Sequence, residues 1–334
     1  MNPCPTVLGV DVSKATLELC LLKGLNEQVL LQRSLPNTQE AIEAFLPTLA
    51  PEAPASVCIA LEPTGPYWYA LANTAWAQGY RVVSVPTKET SKFLQARSER
   101  AKTDRIDAKG IACYALYMAV RDYHPKSQDV QHLESLLALR KKFSQTIADY
   151  TQAAPSLSAA PEVLAKVIQE LKAQRKVVDG RIKEAVKPFE GVERLRKVPG
   201  FGQVVSAALI AKLIAFDFQS SDSFVAYIGL DIKVRDSGRF QGQRKLTHKG
   251  DPEMRRLLYL AAQASVRAKG SPYAVLYAAY RQRGLPTTVS LCAVARKLAR
   301  TAWSILKFQT EYDPARVSKD LRATQTSEVQ PCTN

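Results

Sequence analysis

Thr6-Val-Leu-Gly-Val-Asp11 and Val57-Cys-Ile-Ala-Leu-Glu62 are two apolar runs, and each of them ends in a carboxylate. Short apolar runs of this kind are typical of buried strands in a sheet that is covered on both faces. In such a sheet, polar residues that end neighbouring strands come together where the strand order switches. The two runs therefore predict that Asp11 and Glu62 lie side by side at one end of a buried sheet.

A second pair of carboxylates occurs in Lys102-Thr-Asp104-Arg-Ile-Asp107-Ala, a stretch that is predicted to be helical. Asp104 and Asp107 are three residues apart, so they project from the same face of a helix. Two strand-end carboxylates and a helical pair offer the hard oxygen ligands that divalent cations prefer. Two cations held in this way clamp the attacking and leaving oxygens of a phosphodiester. The four residues predict a nucleic-acid-cleaving enzyme with two bound ions, Mg²⁺ or Mn²⁺.

Each of these carboxylates also has an ordinary structural interpretation. Asp104 or Asp107 would stabilise a helix N-terminus through the macrodipole. Glu62, which precedes Pro63, would cap a turn. The occurrence of all four in the order that one fold requires favours the metal-binding interpretation.

Residues 1–125 alternate strand and helix signals. Thr38 is predicted to cap the first helix, and Pro47 is predicted to end it. The order β-β-β-α-β-α-β-α is that of a ribonuclease-H-like mixed sheet, so the fold class is α/β for this domain. Strands are predicted over 7–12, 17–22, 29–35, 56–61 and 80–85, and helices over 39–46, 67–78, 90–96 and 104–120.

The rest of the chain is predicted to be all-α. In 126–187, apolar residues recur at alternating three- and four-residue steps, which predicts an antiparallel coiled-coil hairpin or, as the alternative, two helices of a bundle. Arg140 interrupts this pattern. Residues 188–313 are predicted to form a helical domain. Residues 314–334 are polar and aperiodic, which is typical of a disordered tail.

A glycine-containing turn in the third domain resembles a helix-hairpin-helix motif. It is Val198-Pro-Gly-Phe-Gly202, and a helix is predicted to follow it. In such a turn, Gly200 and Gly202 would present backbone N–H groups to a phosphate. The alternative is a plain helix–helix turn in which the glycines only allow a positive φ.

The chain is strongly basic, with 46 Lys and Arg against 31 Asp and Glu and a net charge of +15. The stretch 191–310 alone contains 20 Lys and Arg and seven Asp and Glu. Such a surplus favours a polyanion as partner, and the alternative is a solvated basic surface. The six cysteines have no paired short spacing, which argues against a zinc site or a disulfide framework. No leader and no run of membrane-spanning length is evident, so a cytoplasmic protein is expected.

Ser237 is the only serine in 229–250, a basic stretch punctuated by glycines. A serine hydroxyl is a poor nucleophile unless a base, a cation or a metal lowers the cost of its deprotonation. Basic side chains on either side of Ser237 would neutralise a phosphate there, and the alternative is that Ser-Gly only forms a turn. The predicted nucleic-acid contacts of the chain are Lys102, Arg105, Gly200, Gly202, Arg235, Arg239, Arg244, Lys245 and Lys249.

Taken together, these motifs resemble the DEDD transposases of bacterial insertion sequences, the IS110 family, which is akin to the Piv-type DNA invertases. The resemblance covers about residues 5–310 and implies a RuvC-like N-terminal domain, a coiled coil and a helical transposase domain. It also implies that Asp11, Glu62, Asp104 and Asp107 are metal ligands and that Ser237 is a covalent nucleophile. The motifs that carry it are Gly9-Val-Asp11-Val-Ser-Lys, Ala60-Leu-Glu62-Pro-Thr-Gly65, Lys102-Thr-Asp104-Arg-Ile-Asp107-Ala, Val198-Pro-Gly-Phe-Gly202 and Gly229-Leu with Ser237-Gly238.

The resemblance further implies DNA recombination through a phosphoserine intermediate, directed by a structured noncoding bridge RNA. One loop of this guide RNA would pair with target DNA and another with donor DNA. A dimer would synapse into a tetramer, in association with the nucleoid. Two alternatives remain: a RuvC-like Holliday-junction nuclease that uses metal-bound water, and a non-catalytic nucleic-acid-binding protein.

Overall fold

The chain folds into two compact units, Met1–Pro125 and Lys126–Asn334. At residues 104–106, 233, 236–237, 240–241 and 245 only the backbone is described. The computed structural model describes residues 5–50, 53–63, 65–97, 104–157, 159–233, 236–237, 240–241, 245–247 and 249–317.

The first unit is built on a six-stranded mixed sheet with the strand order β3-β2-β1-β4-β5-β6. The first three strands form an antiparallel meander, and β1, β4 and β5 run parallel to one another. The five predicted strands are confirmed, and the short sixth strand was not predicted. The strands are β1 (Thr6–Val12), β2 (Thr16–Lys23), β3 (Gln28–Pro36), β4 (Val57–Leu61), β5 (Arg81–Ser84) and β6 (Arg121–Asp122).

Four helices cover this sheet, and their order confirms the predicted succession. Thr38 caps the first of them by accepting a hydrogen bond from the Ala41 N–H at 3.3 Å. The prediction that Pro47 ends this helix is wrong. Pro47 lies in the last turn, where its missing N–H costs one hydrogen bond, and Leu49 beyond it packs against the core. The helices are α1 (Gln39–Leu49), α2 (Tyr69–Ala77), α3 (Thr87–Ala96) and α4 (Asp104–Tyr117).

The two faces of the sheet bury different side chains, because successive residues of a strand point to opposite faces. On one face, Leu8 and Val10 of β1 pack with residues of α1 and α2. On the other face, Val7 of β1 and Ala60 of β4 pack with Ala112 and its neighbours in α4. We call this second side the α4 face. The alternation determines which carboxylates can meet α4.

The second unit is mostly helical. Its helices are α5 (Gln128–Ala153), α6 (Pro161–Ala185), α7 (Val192–Arg196), α8 (Gln203–Ala215), α9 (Ser221–Tyr227), α10 (Pro252–Arg267), α11 (Pro272–Gln282) and α12 (Thr287–Lys307). Between α9 and α10 the chain forms four two-residue strands rather than an irregular loop. These strands are β7 (Ile232–Lys233), β8 (Asp236–Ser237), β9 (Phe240–Gln241) and β10 (Lys245–Leu246).

The long helices α5 and α6 pack against each other. Arg140, which interrupts the apolar pattern of α5, donates a hydrogen bond from Nε to Asp179 Oδ1 of α6 at 2.5 Å. The residue that interrupts the apolar pattern therefore forms an ion pair between the two helices. Leu133 and Ile182 join the core of the second unit, so one end of the helix pair is continuous with that core. A supercoil of the two helices stays a prediction.

The core of the second unit gathers apolar residues from α5 to α12. It extends past α12, because residues 314–317 form a helical turn that buries Val317, with 3% of its surface exposed. Cys20, Cys58, Cys113 and Cys292 are not joined in disulfides. In the part of the chain that the structure describes, no helix is both long and apolar enough to cross a membrane.

Candidate functional site

Asp11 and Glu62 lie at adjacent strand ends. The parallel register of β1 and β4 pairs Val10 with Leu61. Asp11 directly follows Val10, and Glu62 directly follows Leu61. Asp11 is four residues from Val7 and Glu62 is two residues from Ala60, so alternation assigns both carboxylates to the α4 face. Both side chains are half-buried. The sheet therefore brings together two of the four predicted ligands.

Helix α4 approaches this sheet closely at Gly9. A Cβ on Gly9 would lie 2.1 Å from the Ala108 carbonyl oxygen and 2.5 Å from the Ala112 nitrogen. Only a residue without a side chain permits this approach. Gly9 lies two residues before Asp11, and Ala108 directly follows Asp107. The same contact that packs α4 on the sheet thus brings the half-buried Asp107 toward the end of β1.

Asp104 lies in the first turn of α4, where the structure describes only the backbone. The spacing of Asp104 and Asp107 on the helix agrees with the predicted pair. Lys102 lies outside the described residues. Arg105 lies on α4 with its backbone alone described.

Glu18 is a further carboxylate at this end of the sheet, and the sequence analysis missed it. The antiparallel register of β1 and β2 places Glu18 directly opposite Asp11. Residues opposite each other in an antiparallel pair share a face, and like charges there are destabilising. Cys20 and Leu22 of β2 pack on the α4 face, so alternation assigns Glu18 to it as well. The signal in the sequence is a lone charge inside the apolar run Leu17-Glu-Leu-Cys-Leu.

Carboxylate oxygens are donors that fit a divalent cation such as Mg²⁺. Among the described residues, no group of three or more His, Cys, Asp or Glu side chains is close enough to hold an ion. The side chain of Asp104 does not belong to that set. Asp11, Glu62 and Asp107, whose side chains are described, therefore do not form such a group by themselves, although their donor chemistry fits a divalent cation.

Thiols on the α4 face do not provide an alternative nucleophile. Burial raises the pKa of Cys20, and the charge of Lys109 opposes this only in part. Burial is also the main cause that raises the pKa of Cys113 to about 12. Because the thiolate is the reactive form of cysteine, burial disfavours both residues as nucleophiles.

Ser237 lies in one of two small antiparallel sheets between α9 and α10, and we call their four strands, β7 to β10, the ribbon. In one sheet, Ser237 of β8 pairs with Phe240 of β9. In the other sheet, Ile232 pairs with Leu246 and Lys233 with Lys245. Ser237 is thus a paired residue at the end of β8. The side chain of Ser237 is not among those described.

Two glycines allow close backbone packing at the base of the ribbon, where Gly229 and Asp231 lie beside Thr247 and Gly250. We call this base the neck. A Cβ on Gly250 would lie 2.2 Å from the Tyr227 carbonyl oxygen and 2.7 Å from the Gly229 nitrogen. Gly229 has a φ of 71°, a value that favours glycine. The Thr247 N–H donates to the Asp231 carbonyl oxygen at 3.0 Å, and the Thr247 hydroxyl bonds the Asp231 carboxylate. The neck is thus fixed by backbone packing and paired polar groups.

A half-buried charge network lies where the ribbon joins α10. Lys212 Nζ of α8 is 3.4 Å from Glu134 Oε1 of α5 and 3.5 Å from Asp251 Oδ2. Burial lowers the pKa of Lys212, but Tyr227, Glu134 and Asp251 outweigh it, and the net pKa is raised. Asp251 also caps α10 by accepting from the Glu253 N–H at 3.0 Å. The network fastens the end of the ribbon to α5 and α8.

The two glycines of the predicted helix-hairpin-helix turn differ in their surroundings. A Cβ on Gly200 would lie 2.2 Å from the Ala261 carbonyl oxygen of α10, so helix packing requires this glycine. Gly202 is exposed at the start of α8, and nothing lies within 4 Å of its Cβ position. Of the two, only Gly202 has an accessible backbone next to the N-terminus of α8. Phosphate contact at this turn stays a prediction.

The predicted basic contacts around Ser237 are mostly beyond what the structure describes. Lys249 is exposed, and its N–H donates to the Thr247 hydroxyl at 3.4 Å. Lys245 lies on β10 with its backbone alone described. Arg235, Arg239 and Arg244 lie outside the described residues.

Comparison with known proteins gives two family matches. A model of the DEDD transposases of IS110, described as "Transposase", matches residues 8–157. A model described as "Transposase IS116/IS110/IS902 family" matches residues 192–278. The first range includes the four carboxylates, and the second includes Ser237. Together the two models cover more than half of the chain.

Individual relatives agree with these matches. The "Probable family 20 transposase" of Pseudomonas aeruginosa is 24% identical over 92% of this chain and 98% of that protein. The pilin gene-inverting protein of Moraxella bovis is 22% identical over 92% of this chain and 98% of that protein. The "Insertion element IS900 uncharacterized 42 kDa protein" of Mycobacterium paratuberculosis is 30% identical, but over 46% of this chain and 38% of that protein. The chain belongs to the IS110 family of insertion-sequence transposases.

Proposed function

We propose that this transposase cleaves and rejoins DNA through a covalent bond between Ser237 and a DNA phosphate. Divalent cations, Mg²⁺ or Mn²⁺, would be held by Asp11, Glu62, Asp104 and Asp107. The observation that carries this proposal is the common face of the carboxylates. Asp11 and Glu62 end paired parallel strands on the α4 face, and Gly9 lets the helix that bears Asp104 and Asp107 pack against the same strands.

The chemical step is an in-line displacement at phosphorus. The Ser237 hydroxyl loses its proton, and its oxygen forms a bond to phosphorus while the bond from phosphorus to the 3′ oxygen of the DNA breaks. The departing 3′ oxygen takes up a proton. Divalent cations held by the carboxylates would stabilise the negative charge that develops on the phosphoryl oxygens. The 3′-OH of another strand then attacks the phosphoserine, which releases the serine and joins the strands without external energy.

The carboxylates and the serine belong to different units, so the working site is composite. The carboxylates lie in Met1–Pro125 and the serine in Lys126–Asn334. Delivery of Ser237 comes from a movement of the units or from a second protomer in a dimer or tetramer. The helix pair α5 and α6 supports the second route. The two helices expose the apolar side chains Leu139, Tyr150, Val163, Val167 and Val177, and their connection exposes Leu157.

The DNA partner follows from the family and its relatives, one of which is a pilin gene-inverting protein. The guide is a structured noncoding bridge RNA, with loops that pair to donor and target DNA. Lys and Arg contacts to phosphates fix position but carry no sequence information. The 20 Lys and Arg in 191–310 suit a protein that binds phosphates while base pairing with the guide RNA supplies sequence specificity.

The test replaces the nucleophile and follows the covalent bond. The full-length Ser237→Ala protein is incubated with a nicked DNA substrate, Mg²⁺ and the flanking noncoding RNA of the element. Loss of the protein–DNA adduct on a denaturing gel, together with loss of strand exchange, is the expected result. Ser156→Ala is the matched control, because Ser156 is exposed in the connection between α5 and α6.

Other outcomes select the alternatives. Undiminished strand cleavage by Ser237→Ala, with no adduct in the unchanged protein, would identify a RuvC-like junction nuclease that uses metal-bound water. DNA binding without cleavage in any condition with Mg²⁺ or Mn²⁺ would identify a non-catalytic binding protein. A reaction without the RNA tests the guide separately. If the adduct forms equally well without RNA, guidance by RNA is contradicted, but the serine mechanism is not.

A further inference from the structure

Helix α6 presents a row of exposed lysines between its middle and its C-terminus. Lys172, Lys176, Gly180 and Lys183 follow one another at steps of four, four and three residues, so they are neighbours on one face of the helix. All four residues are exposed. We call these four residues the α6 row. With a rise of about 1.5 Å per residue, the row is about 16 Å long.

The lysines of the row are available to an external anion. The stretch 171–187 contains six Lys and Arg but only two Asp and Glu. Both acids are already paired, Asp179 with Arg140 of α5 at 2.5 Å and Glu184 with Lys187. In the part of the chain that the structure describes, the three lysines of the row have no ion pair and no side-chain hydrogen bond. The described protein therefore leaves their charges without a counterion.

Gly180 lies in the row although the fold does not require a glycine there. Nothing is within 4 Å of its Cβ position, and its φ does not lie in the left-handed region. A glycine inside a helix is destabilising relative to alanine. Lys172 and Lys176, which are four residues apart, also repel each other. An anion bound along the row would relieve this repulsion, and the missing side chain leaves room for its close approach.

The core of the second unit fixes the helix on both sides of this glycine. Val178 and Ile182, two residues before and after Gly180, are buried in that core. The carbonyl oxygen of Asp179 accepts a hydrogen bond from Gln203 Nε2 of α8 at 2.5 Å. One side of α6 is thus fastened to the rest of the unit, while the row remains open. A fixed row of charges suits a partner that is itself stiff and regularly charged.

The chemistry of the row fits the phosphodiester backbone of a duplex. Lysine ammonium groups bind phosphates as point charges. One strand of DNA carries a phosphate about every 3.4 Å of helix axis, so a row of about 16 Å spans about five phosphates. Contacts of this kind hold a duplex in position without reading its sequence.

We propose that the α6 row binds the phosphodiester backbone of a duplex arm of the DNA substrate. The row and the ribbon that bears Ser237 belong to the same unit, Lys126–Asn334. DNA held on the row is therefore anchored to the unit that supplies the nucleophile. That the nucleic acid is DNA rests on the proposed function, whereas binding of a phosphodiester backbone by the row does not.

The test measures DNA binding without chemistry. The full-length Ser237→Ala protein, in EDTA, is titrated into a labelled non-specific DNA duplex over a series of salt concentrations. The double variant Lys176→Gln/Lys183→Gln is compared with Lys142→Gln/Lys166→Gln, which removes the same charge from exposed positions of α5 and α6 outside the row. Only in the row variant should affinity fall about tenfold. Its slope of log affinity against log salt should fall by roughly 2, about 0.9 for each lost phosphate contact.

A second variant separates close approach from charge. Gly180→Gln keeps the net charge and introduces a better helix former, so the thermal midpoint should rise or stay unchanged. Its side chain would stand between Lys176 and Lys183. We expect affinity for the DNA duplex to fall about threefold or more, because the phosphates are held farther from the lysines. A glycine without a role in binding would give higher stability and unchanged affinity.

Three results would overturn the proposal or its assignment to DNA. Equal affinities of the row variant and the control variant overturn the proposal, and so does a stable Gly180→Gln protein that binds DNA normally. A loss of affinity confined to an RNA duplex of the same sequence, with DNA binding unchanged, overturns the assignment to DNA. Because the assay contains no divalent cation and no Ser237 hydroxyl, failure here is distinct from failure of the covalent mechanism, which the adduct assay tests.

Discussion

The carboxylates and the serine are held by different means in the two units. Asp11 and Glu62 end strands whose neighbours Val10 and Leu61 are completely buried. Ser237 instead lies on a two-residue strand of a ribbon that is fixed at its neck by Gly229 and Gly250. The position of the carboxylates therefore depends on the core of a sheet, whereas that of the serine depends on a local attachment. Local attachments open at lower free energy than cores do.

The largest effect is expected at a carboxylate. Asp11→Asn keeps the size of the side chain but removes the charge that attracts a divalent cation. Strand cleavage and adduct formation should fall on the order of 10³-fold or more. Single-turnover cleavage of a nicked substrate measures this. Glu43→Gln, which changes an exposed carboxylate of α1, is the control, and a silent Asp11→Asn contradicts the role of the sheet site.

Gly9→Ala tests whether the close packing of α4 on β1 is needed for the stability of the first unit, which bears the carboxylates. Its Cβ would lie 2.1 Å from the Ala108 carbonyl oxygen, so α4 has to move away from β1. We expect a loss of about 3 kcal/mol in the free energy of unfolding, at the upper end of overpacking effects. Urea unfolding measures it. Gly180→Ala, in open space on α6, should instead stabilise by up to about 1 kcal/mol.

Gly250→Ala tests the attachment of the ribbon. The new Cβ would lie 2.2 Å from the Tyr227 carbonyl oxygen, and the φ of 154° is also unfavourable for alanine. We expect about 2 kcal/mol of local destabilisation, seen as faster amide hydrogen exchange in the ribbon. Adduct formation should fall while exchange in β1 and β4 stays unchanged. Equal acceleration in both units contradicts the comparison.

The smallest effect concerns an ion pair at the turn between β2 and β3. Arg97 lies 2.6 Å from Glu27, and its hydrogen bond is the main cause that lowers the pKa of Glu27. Because the folded pKa is below the unfolded one, the stabilisation exists above the unfolded pKa and disappears as the pH falls through the folded value. Glu27→Gln should therefore cost about 0.5–1 kcal/mol at pH 7 and nothing in strong acid. Urea unfolding across pH 2–7 tests this, and a cost that does not change with pH contradicts it.

The sequence predicted the sheet unit well, because its signals are local. The apolar runs around Leu8 and Ile59 and the cap at Thr38 each specify their own element. Glu18 was missed because its importance comes from the register of β2 against β1. Pro47 was misjudged because it lies in the last turn, where it removes one hydrogen bond, and the helix continues to Leu49, which packs partly buried against the core.

The ribbon was harder to predict. Its strands are two residues long, so alternation has no length over which to become visible. The neck depends on close packing of Gly250 against the Tyr227 backbone. No local sequence pattern predicts this contact, because the two residues are far apart in the sequence. The charge network at Lys212 joins α5, α8 and the start of α10. The spacing of residues in a sequence does not indicate such pairings between distant elements.

Cleavage of the protein by bound Fe²⁺ is the sharpest check that the carboxylates hold cations and that Ser237 is brought to them. Fe²⁺ replaces Mg²⁺ at oxygen ligands, and with ascorbate and peroxide it cuts the backbone next to its binding site. We expect cuts beside Asp11, Glu62 and α4 in the protein alone, and an additional cut beside Ser237 once DNA and RNA are bound. Cuts that avoid the carboxylates, or a ribbon that remains uncut in the complex, would contradict it.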